Sequence, residues 1–182
     1  MKKLISSVFF AVTLFSGVHA VAQEKMDAKP PEDKSKRPSP PARVTEKIKS
    51  GATISIDYSQ PSVKGRAIGK DLEPMEGQVW RTGANEATVF ETDKTVTVNG
   101  ASLPAGKYAF FTIFNGADVT LIFNKTANQW GAYKYQETAD QLRVKAKATE
   151  VGSSTEKMTF TISDGGVVSL WWGNKKVEFM VM

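Results

Sequence analysis

The protein contains no cysteine, and its only histidine, His19, lies near the N-terminus. Without cysteine the chain forms no disulfide, has no thiol nucleophile and cannot carry the lipidated cysteine of a lipoprotein. Beyond His19 it also lacks an imidazole, which excludes Ser-His-Asp and Cys-His catalysis and the usual ligand sets for zinc, copper and haem. A metal ion would have to be a hard cation held by oxygen atoms, and no motif indicates a metal or a cofactor.

The chain has no large excess of positive or negative charge. Its formal net charge is +5, and removal of Lys2 and Lys3 with an N-terminal leader lowers this to +3. Residues 43–182 carry 17 basic and 15 acidic side chains. Such a balance does not provide the basic surface that nucleic-acid binding requires, so we expect no nucleic-acid partner.

Long hydrophobic runs are limited to the first residues of the chain. Lys2 and Lys3 precede an apolar run at residues 4–18, and small residues follow it at 20–22. The run is shorter than the roughly 20 residues that span a bilayer as a helix. The pattern predicts a cleaved signal peptide over residues 1–22, and therefore an exported protein, periplasmic or secreted, without a transmembrane anchor after cleavage.

Residues 23–42 have almost no apolar side chains. The segment contains five of the eight prolines and nine charged residues, and its only sizeable apolar side chain is Met26. It cannot bury enough surface to offset the entropy of ordering, so the composition predicts a disordered linker.

Residues 43–182 show no sustained helical period and instead alternate between apolar and polar side chains. Ile54, Ile56 and Tyr58 share one strand face, for example, and Asn99-Gly100 fits a tight hairpin turn. The pattern predicts an all-β fold, a single antiparallel β-sandwich or jelly-roll-like domain. Neighbouring strand residues face opposite sides, so we expect Trp172 to be buried and Trp171 to be more exposed.

The stretch VWRTGANEAT, residues 79–88, concentrates stacking and hydrogen-bonding groups in one predicted corner. In one interpretation Trp80, Arg81, Asn85 and Glu86 form the wall of a binding site, since an aromatic face with amide, carboxylate and guanidinium groups suits a sugar. In the other, Trp80 fills the core while Arg81 and Glu86 pair to hold the corner. Both interpretations remain open at the level of sequence.

A second candidate is the loop at residues 61–66, which places Lys64 and Arg66 around a glycine. It is either a solvated turn or a site for a carboxylate, sulfate or phosphate. Convergence of Arg66 and Arg81 in the fold would favour an anionic ligand. Trp130 and Trp171 are further candidates for stacking platforms, although aromatic residues in sandwiches mostly belong to the core.

The order of several motifs resembles a known family. IDYSQPSVKGR, VWRTGANEAT, LPAGKYAFFTI, IFNK and LRV follow one another along the chain. In this respect residues 39–182 resemble domain of unknown function 2911, a family of exported bacterial proteins. The resemblance implies a signal peptide and a β-rich domain, and it brings no activity, substrate or cofactor.

These observations favour a non-catalytic, exported β-sandwich that binds a polar ligand, with a carbohydrate as one candidate, or a partner in the cell envelope. One alternative is a hydrolase that acts on glycans through paired carboxylates, drawn from Asp57, Glu86 and the acidic loop at residues 71–76. Another alternative is a purely structural envelope protein. The sequence does not indicate an oligomeric state.

Overall fold

The computed structural model describes residues 32–182, and this part of the chain is almost entirely β-structure. Two short 3₁₀ turns, Lys34–Lys36 and Glu137–Ala139, are its helical segments. The strands are β1 (Pro41–Lys47), β2 (Thr53–Ser59), β3 (Thr88–Thr92), β4 (Val96–Val98), β5 (Ala101–Leu103), β6 (Gly106–Asn115), β7 (Asp118–Asn124), β8 (Asp140–Ile162) and β9 (Val167–Met180). The predicted all-β class is confirmed.

Seven strands form one antiparallel sheet in the order β1-β2-β3-β6-β7-β8-β9, while β4 and β5 form a small second sheet. The large sheet is curled. Its longest strand, β8, shifts register against β9 between Glu150 and Thr159, and such irregularities bend a strand. The second half of β8 then meets the segment after β2, where the Val63 amide donates to the Glu156 carbonyl at 2.9 Å.

The main core packs on one face of this sheet and is rich in phenylalanine. Phe90, Phe110 and Phe123 come from β3, β6 and β7 and are at most 1% exposed. Phe90 and Phe123 meet edge to face at 5.1 Å, an arrangement that stabilises an aromatic pair beyond its buried area. Alternation along the strands delivers these side chains to one face, as the sequence pattern predicts.

A smaller apolar cluster covers the opposite face of β6 and β7. Phe111 and Ile122 are fully buried there, beneath the loop at residues 125–139. The loop contributes Tyr135, whose ring lies 5.1 Å from that of Phe111. Because β6 is covered on both faces, it is apolar on both, as expected of a central strand.

Two local predictions are confirmed. Trp172 is 3% exposed and Trp171 is only partly buried, so the register of β9 is the expected one. Asn99 and Gly100 have φ angles of 47° and 86° and form the turn between β4 and β5, a conformation that asparagine and glycine tolerate.

The predicted linker needs correction at its C-terminal end. The signal peptide at 1–22 and linker residues 23–31 lie outside the described residues. Asp33–Met182 form one compact unit, and β1 already begins at Pro41. Residues 33–42 have almost no apolar side chains of their own, but they dock on the finished domain through ion pairs and backbone hydrogen bonds, which composition does not reveal.

None of the helical segments in residues 32–182 is long and apolar enough to cross a membrane.

Candidate functional site

The corner at residues 79–88 is built around a buried tryptophan. The backbone of Trp80 exchanges two hydrogen bonds with Thr112 of β6, at 2.8 and 2.9 Å. Its side chain is 2% exposed, and its indole Nε1 donates to the Gly83 carbonyl at 3.1 Å. The structure therefore places Trp80 in the core, and its ring is not an open stacking platform.

Thr82 holds the corner in a left-handed backbone conformation. Its φ angle is 50°, although a β-branched residue rarely adopts a positive φ. The residue is fully buried, its hydroxyl lies 3.1 Å from that of Thr112, and its carbonyl accepts from the Thr88 hydroxyl at 2.7 Å. Such a conformation persists only where the surroundings enforce it, and here buried threonines do so.

The second half of the corner binds the chain that leads into β1. Glu86 Oε1 accepts from Lys34 Nζ at 2.8 Å, and Arg37 Nη1 donates to both Glu86 carboxylate oxygens, at 3.0 and 2.8 Å. Asn85 Nδ2 donates to the Ser39 carbonyl at 3.0 Å. We call residues 33–40 the N-terminal strap, because these contacts fasten it across the corner.

The predicted pair between Arg81 and Glu86 is wrong. Glu86 is neutralised by Lys34 and Arg37, and Arg81 makes no ion pair within the described residues. Burial alone raises the pKa of Glu86, but hydrogen bonds from Lys34, its own backbone and Arg37 together outweigh burial and lower that pKa. The carboxylate is therefore held in its charged form by the strap.

Arg81 instead faces a cavity of about 210 Å³ whose wall also includes Arg66. The Arg81 Nε is buried and has no hydrogen-bond acceptor within the described residues. Trp80, Leu72 and Trp172 also line the cavity, and they supply apolar surface. The two cations that the sequence placed in separate loops thus converge on one cavity.

Arg66 is positioned by backbone carbonyls and keeps free donors. Its Nε donates to the Val63 carbonyl at 3.1 Å, and its Nη2 donates to the Ser62 carbonyl at 2.7 Å. A guanidinium carries five N–H groups, so three remain available. Lys64, the other cation of this loop, is exposed and does not line the cavity, and its backbone amide donates to Glu156 at 2.9 Å.

The far wall of the cavity is fixed by two close contacts. The Trp172 indole Nε1 donates to the Glu73 carbonyl at 2.7 Å. Gly173 has a φ of 58°, and a Cβ there would lie 2.4 Å from Ile68 Cδ1. Glycine therefore lets Ile68, in the loop that carries Arg66, approach β9 closely.

Two of the carboxylates named for a hydrolase, Asp57 and Glu86, line one cavity of about 180 Å³, but each is engaged by a cation, and Glu86 is held by Lys34 and Arg37. Asp57 is ion-paired with Arg43, Asp71 accepts from the Ala67 amide and Glu76 accepts from the Gly116 amide. In residues 32–182 no group of three or more acidic or other ligating side chains could hold a metal ion.

Several residues of this region escaped the sequence analysis. Lys34, Arg37 and Ser39 belong to a segment whose composition predicted disorder, and Leu72 and Trp172 meet the corner only after folding. The cations Lys34 and Arg37 just before the first strand were the available signal for the strap, but the sequence does not show that they, and not Arg81, meet Glu86.

Comparison with known proteins gives a family. Residues 39–181 match the family described as protein of unknown function (DUF2911), which confirms the resemblance. No curated protein and no solved structure matches the chain.

Proposed function

The chain belongs to the DUF2911 family, a family of unknown function, and we propose that it is a non-catalytic binding protein that holds a small anion between Arg66 and Arg81. One observation carries this proposal. Arg81 and Arg66 line one cavity, and the Nε–H of Arg81 is buried without an acceptor within the described residues. A buried donor without a partner costs about 1–3 kcal/mol, and more when it is charged, so a retained one calls for an explanation.

The donor set suits a carboxylate, sulfate or phosphate. A guanidinium is planar, and its N–H groups match two oxygens of such an anion at once. Neither Arg66 nor Arg81 is ion-paired within residues 32–182, so both keep their charge for a ligand. The side chains of Trp80 and Trp172 add apolar surface to the same wall.

The size of the cavity favours a compact ligand. Its volume of about 210 Å³ lies below the roughly 300–1,000 Å³ of pockets that take drug-sized molecules. A small organic acid, an inorganic anion or the acidic end of a larger molecule fits this limit. The predicted signal peptide supports an exported protein that meets this ligand in the periplasm or outside the cell.

Binding is favoured over hydrolysis because the acidic side chains are individually occupied. A glycosidase needs two facing carboxyl groups, one with a raised pKa. Glu86 has a lowered pKa and is engaged by the strap, while Asp57 is paired with Arg43. With no imidazole or thiol beyond His19, the remaining polar groups of the cavity are suited to recognition.

Isothermal titration calorimetry with acetate, sulfate, phosphate and a uronic acid tests the proposal. We expect at least one of these anions to bind saturably, and Arg81→Gln to weaken its affinity about tenfold or more, as loss of a charge-assisted hydrogen bond requires. Arg43→Gln is the matched control, because Arg43 pairs with Asp57 on an exposed face. The proposal fails if no anion binds, or if Arg43→Gln weakens binding as much as Arg81→Gln.

A further inference from the structure

We infer a second binding site, for the ring of an uncharged sugar, in the groove beside Trp130. The groove has a volume of about 290 Å³. One wall is formed by Glu86, Ala87 and Val89, where the corner continues into β3, and the other by residues 127–130. None of these residues lines the cavity of Arg66 and Arg81, so the two sites are separate.

Trp130 is the exposed aromatic face of this groove. Its side chain is 55% exposed, whereas Trp80 and Trp172 are buried. The Arg37 guanidinium lies 5.6 Å from the ring centroid, a cation–π contact that helps to hold the ring in place. An exposed tryptophan is costly to keep in water, and its flat face matches the C–H face of a sugar ring.

The backbone around Trp130 is held rigidly against the corner. The Ala87 amide donates to the Gln129 carbonyl at 2.9 Å, and the Gly131 amide donates to the Asn85 carbonyl at 3.0 Å. Further along the same loop, the Tyr135 hydroxyl donates to Asp140 at 2.6 Å. The platform is therefore preorganised, which reduces the entropy lost when a ligand binds.

Gln129 supplies an acceptor that nothing in the described residues uses. Its Oε1 is buried without a donor, and its Nε2 donates to the Thr126 carbonyl at 2.7 Å. That second bond fixes which end of the amide is the acceptor. Because Gln129 lines this groove, a ligand hydroxyl that reaches this oxygen would supply the missing donor.

The charges of the groove argue for a neutral ligand. Glu86 is its only acidic wall residue, and that carboxylate is already paired with Lys34 and Arg37. A charged ligand would find no free counter-charge on the walls. A molecule with a flat C–H face and hydroxyl donors but no charge is an uncharged sugar, which satisfies both Trp130 and Gln129.

Titration with neutral oligosaccharides, followed by saturation-transfer NMR and tryptophan fluorescence, tests the inference. The panel holds a glucan, a mannan and an N-acetylglucosamine oligomer at millimolar concentration, with a uronic acid oligomer beside them. We expect a neutral member to bind. Trp130→Ala should weaken that binding about tenfold, and Gln129→Leu should weaken it several-fold, through loss of stacking and of the acceptor.

Two controls separate this site from the anion cavity. Trp171→Ala removes a partly exposed tryptophan elsewhere on the surface, and Arg81→Gln disables the cavity, so both should leave oligosaccharide binding unchanged. The inference is overturned if no neutral oligosaccharide binds, if Trp130→Ala binds like the parent, or if only the uronic acid oligomer binds. Loss of oligosaccharide binding in Arg81→Gln also overturns it, because the sugar would then occupy the other cavity.

Discussion

Glu86 is ion-paired with Arg37, 49 residues earlier in the chain, and not with Arg81 five residues before it. Arg37 is the more buried partner, with 12% of its side chain exposed against 36% for Glu86. The pair joins the N-terminal strap to the corner and places the Arg37 guanidinium 5.6 Å from the Trp130 ring centroid. It also leaves Arg81 without a carboxylate, which is the basis of the anion cavity.

The first prediction concerns this pair. Glu86→Gln keeps the size of the side chain and removes the negative charge that Lys34 and Arg37 contact. We expect the free energy of unfolding to fall by about 1 to 2 kcal/mol, between the values for an exposed and a fully buried pair. Urea unfolding measures this change.

Glu91→Gln is the control, because Glu91 pairs with Lys107 across β3 and β6, where the lysine side chain is 62% exposed. The Glu91→Gln substitution should lower the free energy of unfolding by less than about 1 kcal/mol. Equal effects of the two substitutions would show that the strap contributes no more than an ordinary surface pair.

The second prediction is the pH dependence of the same contact. The pKa of Glu86 is lowered in the folded protein, so the unfolded chain binds a proton at a higher pH than the folded one. The stabilisation is then present above a pH of about 4.3, the usual carboxyl value, and is lost as the pH falls through the lowered pKa. The stability difference between parent and Glu86→Gln should shrink over that acidic range, and a constant difference down to low pH would contradict the assignment.

The third prediction separates a binding role of Arg81 from a structural one. Arg81→Met keeps an apolar stem and removes an unpaired buried donor, so the unfolding free energy should stay the same or rise by up to about 1 kcal/mol. The same substitution at Arg143 removes bonds to Asp140, Tyr135 and Glu137 and should cost about 1 to 3 kcal/mol. Thermal and urea unfolding compare the two, and a large loss from Arg81→Met would assign Arg81 to the scaffold.

The fourth prediction concerns the loop that carries Trp130. Tyr135 donates to Asp140 Oδ2 at 2.6 Å and accepts from Arg143 Nη2 at 2.7 Å, and the Asp140 side chain is only 6% exposed. Tyr135→Phe should therefore cost about 1 to 3 kcal/mol in urea unfolding. Tyr133→Phe, at a residue that is 85% exposed, should change stability by less than about 0.5 kcal/mol.

The stabilisation by the Tyr135 hydroxyl is also lost at strongly alkaline pH. Burial first, and then the hydrogen bond to Asp140, raise the pKa of Tyr135 to about 12. The stabilisation is complete below a pH of about 10, the usual phenol value, and is lost as the pH rises through the raised pKa. The difference between parent and Tyr135→Phe should therefore persist at neutral pH. Its disappearance well below pH 10 would contradict the contact with Asp140.

Strands and turns were predictable because their signals are local. Period-two alternation identified β2, an apolar run identified the central strand β6, and the opposite exposure of Trp171 and Trp172 follows directly from the pleat. Asn99 and Gly100 supplied their own turn. Each of these features depends on residues within a few positions of one another.

Partners across the corner were not predictable, since pairing depends on which side chains meet in space. The charges of Lys34 and Arg37 suggested a solvated linker, yet they dock because Glu86 offers a fixed carboxylate on the finished domain. The convergence of Arg66 and Arg81 on one cavity needed the curl of the sheet, and no local pattern encodes that curl.

The most direct measurement of the central claim follows the Nε–H group of Arg81 itself. Small carboxylates, sulfate and phosphate are titrated into the protein, and ¹H–¹⁵N NMR spectra that resolve arginine Nε–H groups follow the titration. The signal of Arg81 is assigned by its absence from the spectrum of Arg81→Lys. Binding in the cavity predicts a saturable shift and slower solvent exchange for the Arg81 Nε–H, while the Nε–H of Arg43 stays unchanged. An Arg81 signal that responds to none of these anions, or that moves only in parallel with Arg43, would contradict an anion site between Arg66 and Arg81.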